Sequence, residues 1–177
     1  MPVVSFSWQN NVRSHVRSHN LSSTRCLQKK PTLRIDMTIR CSTPADIAVM
    51  QEIFREAKRK MRAEGNIHQW AGDYPTDALL LEDIKRGVSY VVEDNGKTVA
   101  TFVLAICEDP TYKNIYEGQW LEDESEYGTI HRIASREGQH GVMAAVLEFS
   151  FAKTNNVRID THRENKTMRR IIERYGF

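Results

Sequence analysis

Thr129-Ile130-His131-Arg132-Ile133-Ala134-Ser135 runs into Arg136-Glu137-Gly138-Gln139-His140-Gly141 and on to Val142-Met143-Ala144-Ala145-Val146-Leu147. The first seven residues read as a strand and the next six as a glycine-bearing loop. Val142 to Lys153 reads as an amphipathic helix. A helix amino terminus offers unpaired backbone N–H groups and the positive end of a dipole, which together suit a phosphate. Gly138 and Gly141 let the backbone approach such a ligand closely. Alone, a Gly-x-x-Gly before a helix is an ordinary tight connection. It matches neither GxxxxGK[ST] nor GxGxxG, so nucleotide hydrolysis and dinucleotide binding lose support.

Toward the carboxyl end, Val157 to Thr161 predicts a strand and Lys166 to Tyr175 a helix, giving a βαβα unit with a right-handed crossover between like-directed strands. Toward the amino end, Val88 to Glu93 and Lys97 to Ile106 flank Asn95-Gly96, the dipeptide of a tight hairpin. Before them, Asp77 to Arg86 predicts a short helix, stopped by Gly87, with Leu80, Leu81 and Ile84 inward. A longer helix opens at Thr43-Pro44-Ala45-Asp46, a capping hydroxyl followed by proline and an acid, and Gly65 ends it. Its apolar positions Ile47, Met50, Ile53, Phe54, Ala57 and Met61 recur at three and four, a stripe for a core. A short strand, Thr38 to Ser42, precedes it. The order β, α, α, β, β, β, α, β, α predicts an α+β (mixed α/β) fold, a mixed sheet covered by helices.

Composition sets the outer limits. At 177 residues, 40% apolar and 27% charged, the chain suits about one globular domain. Clean apolar runs such as Val142 to Leu147 reach only six residues, so no membrane span is expected. Cys26, Cys41 and Cys107 form neither a CxxC pair nor a metal-ligand spacing, which fits a reducing, cytoplasmic setting. Charge divides at Asp36. Residues 1–36 carry six Lys+Arg against one acid, net +5, while residues 37–177 carry nineteen against twenty-two, net −3. The basic leader repeats Val-Arg-Ser-His at Val12 to His15 and Val16 to His19, and reads as a disordered extension before a domain at 37–177. An upstream translation start, an organelle transit peptide and a nucleic-acid arm remain alternative readings of it. The first is the plainest, and no nucleic-acid partner is expected.

Taken in order, these pieces resemble a known family, the GNAT (Gcn5-related) N-acetyltransferases, from about residue 37 to residue 177. Thr129 to Ser135 is similar to the family's fourth strand, and Gly138-Gln139-His140-Gly141-Val142-Met143 falls where its pyrophosphate loop lies. Ile159-Asp160-Thr161 resembles its fifth strand. Asn165 followed eleven residues later by Gly176-Phe177 resembles the ending of its fourth helix. The resemblance implies acetyl-CoA as co-substrate, no metal, and an amine acceptor, either a small molecule or a peptide. It assigns the pantetheine arm to the backbone of Ile133, Ala134 and Ser135, and the pyrophosphate to amides of Gly138, Gln139, His140, Gly141, Val142 and Met143. Asn165 would meet the pantetheine or adenosine end, or simply cap its helix. The chain departs from the pattern in several places. Gly138 stands where Arg or Gln is usual, and Met143 replaces a small residue and would crowd the phosphates. Ile172 occupies the slot of the usual acidic tyrosine. The two final strands of the family are missing, leaving a C-terminally incomplete sheet: either the chain is a fragment, or a partner such as a second copy, in a homodimer, supplies the edge.

Direct attack of a neutral amine on a thioester needs a base and an acid. His131, on the strand beside the expected thioester, is the first candidate base and Glu126 the second. A satisfied sheet histidine is the plain alternative for His131. Tyr175 and Tyr127 are candidate acids, or else packing residues. The acceptor would be chosen by His68-Gln69-Trp70-Ala71-Gly72-Asp73-Tyr74 and by the acidic, aromatic stretch Tyr112 to Tyr127, which would favour a cationic amine. Histidines 68, 131, 140 and 162 show no metal-binding spacing, and no nucleophile elbow is present. Gly138, Met143 and Ile172 keep open a second class of protein, an acyltransferase-like module that binds CoA or a partner without turnover.

Overall fold

The computed structural model describes residues 3–9, 37–106 and 126–177. Most of the acidic stretch from Cys107 onward, including Tyr112, Tyr116 and Trp120, lies outside them. The described strands are β1 (Val3–Gln9), β2 (Met37–Cys41), β3 (Ser89–Asp94), β4 (Lys97–Ile106), β5 (Gly128–Ser135) and β6 (Asn156–His162). The helices are α1 (Ile47–Ala63), α2 (Asp77–Lys85), α3 (Val142–Phe151) and α4 (Lys166–Arg174). Elements from β2 onward agree with the sequence reading to within a residue or two.

The strands form one sheet in the order β1-β6-β5-β4-β3-β2. Only β5 and β6 run parallel, as the α3 crossover between them requires. The β3–β4 hairpin turns at Asn95 (φ 51°) and Gly96 (φ 72°), the left-handed pair such a turn demands. Alternation along the strands sends side chains to two cores. Tyr90, Val92, Phe102, Leu104 and Ile130 pack with Val142, Val146, Leu147 and Ile172 of α3 and α4. Val91 and Ala134 pack on the other face with Met50, Ile53 and Phe54 of α1 and Leu80 of α2. The predicted stripe of α1 is therefore inward. In α2 the reading fails at Leu81, which is exposed: a helix lying on a sheet hides a narrow arc, and Leu80 occupies it.

The entry to α1 is built as its sequence suggests. The Thr43 N–H and hydroxyl both donate to the Asp46 carboxylate, which also receives two hydrogen bonds of 2.8 Å from the Arg40 guanidinium. That arginine, seconded by Thr43, holds the Asp46 carboxyl well below the usual carboxylate range and outweighs the opposing effect of burial.

The amino-terminal segment corrects an expectation. Val3–Gln9 is not disordered but forms an edge strand, antiparallel to β6 along its whole length from Val3↔His162 to Gln9↔Asn156. That edge of β6 is thus paired by this chain's own residues. Charge density over the whole leader concealed a seven-residue run, Val-Val-Ser-Phe-Ser-Trp-Gln, with strand composition and no charge.

Candidate active site

The parallel ladder between β5 and β6 is short. It joins Gly128↔Val157, Thr129↔Arg158 and Ile130↔Ile159, and then the strands part. Past that point β6 has β1 as its ladder partner, while β5 keeps β4. The β4–β5 register slips where the strands separate: Thr101 faces Ala134 but Val103 faces His131, so Arg132 and Ile133 together oppose Phe102. This is a bulge, and Arg132 sits in it at φ 49°, a left-handed conformation that a long side chain adopts only under constraint. The wedge opens into a cavity of about 430 Å³.

One wall is the end of β5, from Ile130 to Ser135, continuing through Arg136 to His140. α1 contributes Glu56, Lys60 and Met61, the following segment contributes Glu64, Gln69, Trp70 and Tyr74, and β6 contributes Asp160 and Thr161. Asn165, Thr167, Met168 and Ile171 close the α4 side. Loop geometry follows from local bonds. Gln51 donates to the Pro75 carbonyl (2.9 Å) and Lys58 to that of Gly72 (2.9 Å), fastening the loop to α1. The Trp70 ring meets Phe54 edge-on, with ring centres 5.4 Å apart.

The cavity brings together His131, Ile133, Ala134, Ser135, Gly138, Gln139, His140 and Asn165 of the residues singled out from sequence. Ile130 is committed to the α3–α4 core, so alternation turns His131 to the opposite side, where its Nδ1 stands 3.6 Å from Asp160 Oδ1. Gly138 (φ 75°) and Gly141 (φ 83°) bend the loop into α3. Arg136, just ahead of them, is held at 2.7 Å by Glu56 and 3.0 Å by Glu52, which tethers the loop to α1.

Other residues singled out from sequence lie elsewhere. Met143 does not crowd the loop: its side chain, like that of Val142, is buried in the core, leaving only their backbone N–H groups at the first turn of α3 to meet a ligand. Neither they nor Gly141 line the cavity proper. Glu126 lies beyond the far end of β5, exposed, its carbonyl accepting from Thr154, away from the wedge. Tyr175 follows α4 and lies outside the cavity, as does Tyr127, whose buried ring carries the Arg158 guanidinium 3.7 Å above it. Asn165 accepts from Met168 N–H (2.9 Å) as the cap of α4, and its amide also donates to Gln69 Oε1 (2.9 Å).

Sequence reasoning missed Asp160, Arg132 and Asp83. The signal for Asp160 is the register itself, since an Ile130↔Ile159 pair in parallel strands places residues 131 and 160 next along the wedge. Arg132 reaches out of the bulge to Asp83 Oδ2 on α2 at 2.7 Å, and its other terminal nitrogen donates to the Tyr74 hydroxyl at 3.3 Å. No local pattern marks that pair.

The chain matches no family model and no curated protein. Solved structures do match it. A GNAT-family acetyltransferase from Streptococcus agalactiae is 29% identical with a TM-score of 0.72, over 79% of this chain and 84% of its own. A GNAT-family acetyltransferase from Listeria monocytogenes reaches 0.58 at 16% identity, over 80% and 86%. The paia N-acetyltransferase of Thermoplasma acidophilum, in complex with coenzyme A, reaches 0.58 at 14%, over 80% and 89%. The chain resembles the GNAT family and has its α+β acyl-CoA N-acyltransferase fold. Among the described residues no helix is long and apolar enough to cross a membrane, and no group of three or more metal-ligating side chains comes together.

Proposed function

We propose that this protein is an N-acetyltransferase that moves an acetyl group from acetyl-CoA to a primary amine by direct attack on the thioester. The observation carrying the proposal is the wedge between β5 and β6, whose cavity is bounded by strand backbone at Ile133 to Ser135 and by a glycine-bent loop leading into the amino terminus of α3. Strand backbone left open by a parting ladder suits an amide-rich arm, which would pair with it like an added strand. The Gly138-to-Gly141 bend and the first amides of α3 suit a diphosphate. Coenzyme A carries both groups, and two neighbours of this fold were solved with acetyl-CoA or coenzyme A.

His131 is the base in this reading. It accepts a proton from the incoming ammonium, directly or through water, so that the neutral amine attacks the carbonyl. Trp70 and Tyr74 offer aromatic faces to a cationic acceptor, and Asp160 and Glu64 add negative charge to the same cavity. Calorimetry with acetyl-CoA, followed by thiol release with a panel of primary amines, tests the proposal. Binding with amine-dependent thiol release is expected. Binding without turnover would favour the module that only holds CoA, and the absence of binding would end the transferase reading.

A further inference from the structure

Aminolysis of a thioester passes through a tetrahedral intermediate, and protonating the sulfur as the carbon–sulfur bond breaks assists its departure. A proton donor near the bulge of β5 serves that step. Among the described tyrosines Tyr74 lines the cavity, whereas Tyr127 lies under Arg158 and Tyr175 stands outside it.

The hydrogen-bond pattern at Tyr74 fixes the direction of its proton. A terminal nitrogen of Arg132 donates to the phenol oxygen at 3.3 Å. A guanidinium only donates, so the phenol oxygen is an acceptor there and its own O–H points elsewhere. Arg132 cannot swing away, because its other terminal nitrogen is held at 2.7 Å by Asp83, which is 1% exposed. Arg132 also sits at φ 49°, and backbone strain of this kind concentrates where function needs a side chain held in place.

We infer that Tyr74 is the catalytic acid and that Arg132, locked by Asp83, is its positioning residue. This inference rests on the N-acetyltransferase reading. His131 first passes the ammonium proton on to solvent. As the nitrogen–carbon bond then forms and the carbon–sulfur bond breaks, the second proton lost by the amine passes to His131 and the phenol proton passes to the departing sulfur. The phenolate left behind is stabilised by the Arg132 guanidinium and recovers its proton from solvent.

The test compares two acetyl donors in the full chain and in Tyr74→Phe, which removes one oxygen and keeps the ring. Calorimetry and thiol release on the unmodified protein come first and decide the N-acetyltransferase reading by themselves. With acetyl-CoA, Tyr74→Phe should lose about 100-fold in kcat while the KM for acetyl-CoA stays within about twofold. With S-acetyl-4-nitrothiophenol, whose leaving group departs as a stable anion, the deficit should shrink at least about tenfold. A merely structural role would slow both donors alike. An equal deficit on the two donors, or one below about threefold on acetyl-CoA, would overturn the assignment.

Discussion

Asp83→Ala probes how firmly the site is braced. Asp83 has 2% of its side chain exposed and Arg132 15%, and they meet at 2.7 Å across the interface of α2 and the bulged strand. Removing the carboxylate leaves a guanidinium largely out of water with the Tyr74 oxygen as its remaining hydrogen-bond partner. Its Nε is already buried without one. Breaking a buried pair from one side costs roughly 3–5 kcal/mol, because the surviving charge is uncompensated. The 15% exposure of Arg132 and its place on a cavity wall give water some access, so the lower end applies, about 3 kcal/mol. For a chain of this size that corresponds to a fall in melting temperature of about 6–12 °C.

Urea denaturation of the full chain, followed by tryptophan fluorescence, measures the loss directly. Replacing both partners, as in Asp83→Leu with Arg132→Met, should recover most of it, since the penalty belongs to the orphaned charge rather than to the lost attraction. A pair behaving like a solvated surface bridge would cost less than about 1 kcal/mol on removal of Asp83. That result would refute the claim that this contact locks the Arg132 side chain, and with it the reason for Arg132 to remain beside Tyr74.

Further outcomes follow from the same geometry. His131→Ala should lower kcat by about 10²–10⁴-fold while calorimetric affinity for acetyl-CoA changes little; an unchanged kcat would remove His131 from the mechanism. Ser5→Pro introduces a residue without an N–H into β1, opposite Asp160, and should lower the melting temperature by several degrees as the β1–β6 ladder opens; an unchanged melt would show that residues 3–9 do not pair. Asp46 has a depressed carboxyl, so its contribution is complete above the unfolded-state value of about 3.9 and is lost as pH falls through the folded-state value. Asp46→Asn should therefore be less stable than the parent at pH 7, and the gap should narrow below about pH 4, as read by urea denaturation at several pH values.

The frame of this fold is legible in sequence because it rests on short-range physics. The stripe of α1, the Asn95-Gly96 turn and the glycine-bent entry to α3 each follow from residues within a few positions of one another. The cavity wall at Ile133 to Ser135 is expected from the family resemblance rather than from any local pattern. What sequence hid was long-range pairing. Thr129 to Ser135 reads as an unbroken strand, and nothing within it announces that Arg132 takes a left-handed turn while Phe102 faces two residues.

That hidden bulge decides the chemistry. Regular alternation from Ile130 would place Arg132 on the α3–α4 side with Ile130 and Ala134, and His131 and Ile133 on the other. The extra residue resets the alternation: Ala134 joins the α1–α2 core beside Val91 while Ile133 packs against the opposite cluster. His131 and Arg132 are then successive residues that both line one cavity, the first near Asp160 of β6 and the second braced on Asp83 of α2. A regular strand would send these neighbours to opposite faces of the sheet. The bulge therefore lets one strand present both the proposed base and the anchor of the proposed acid to the same thioester, at the point where β6 diverges and leaves room for it.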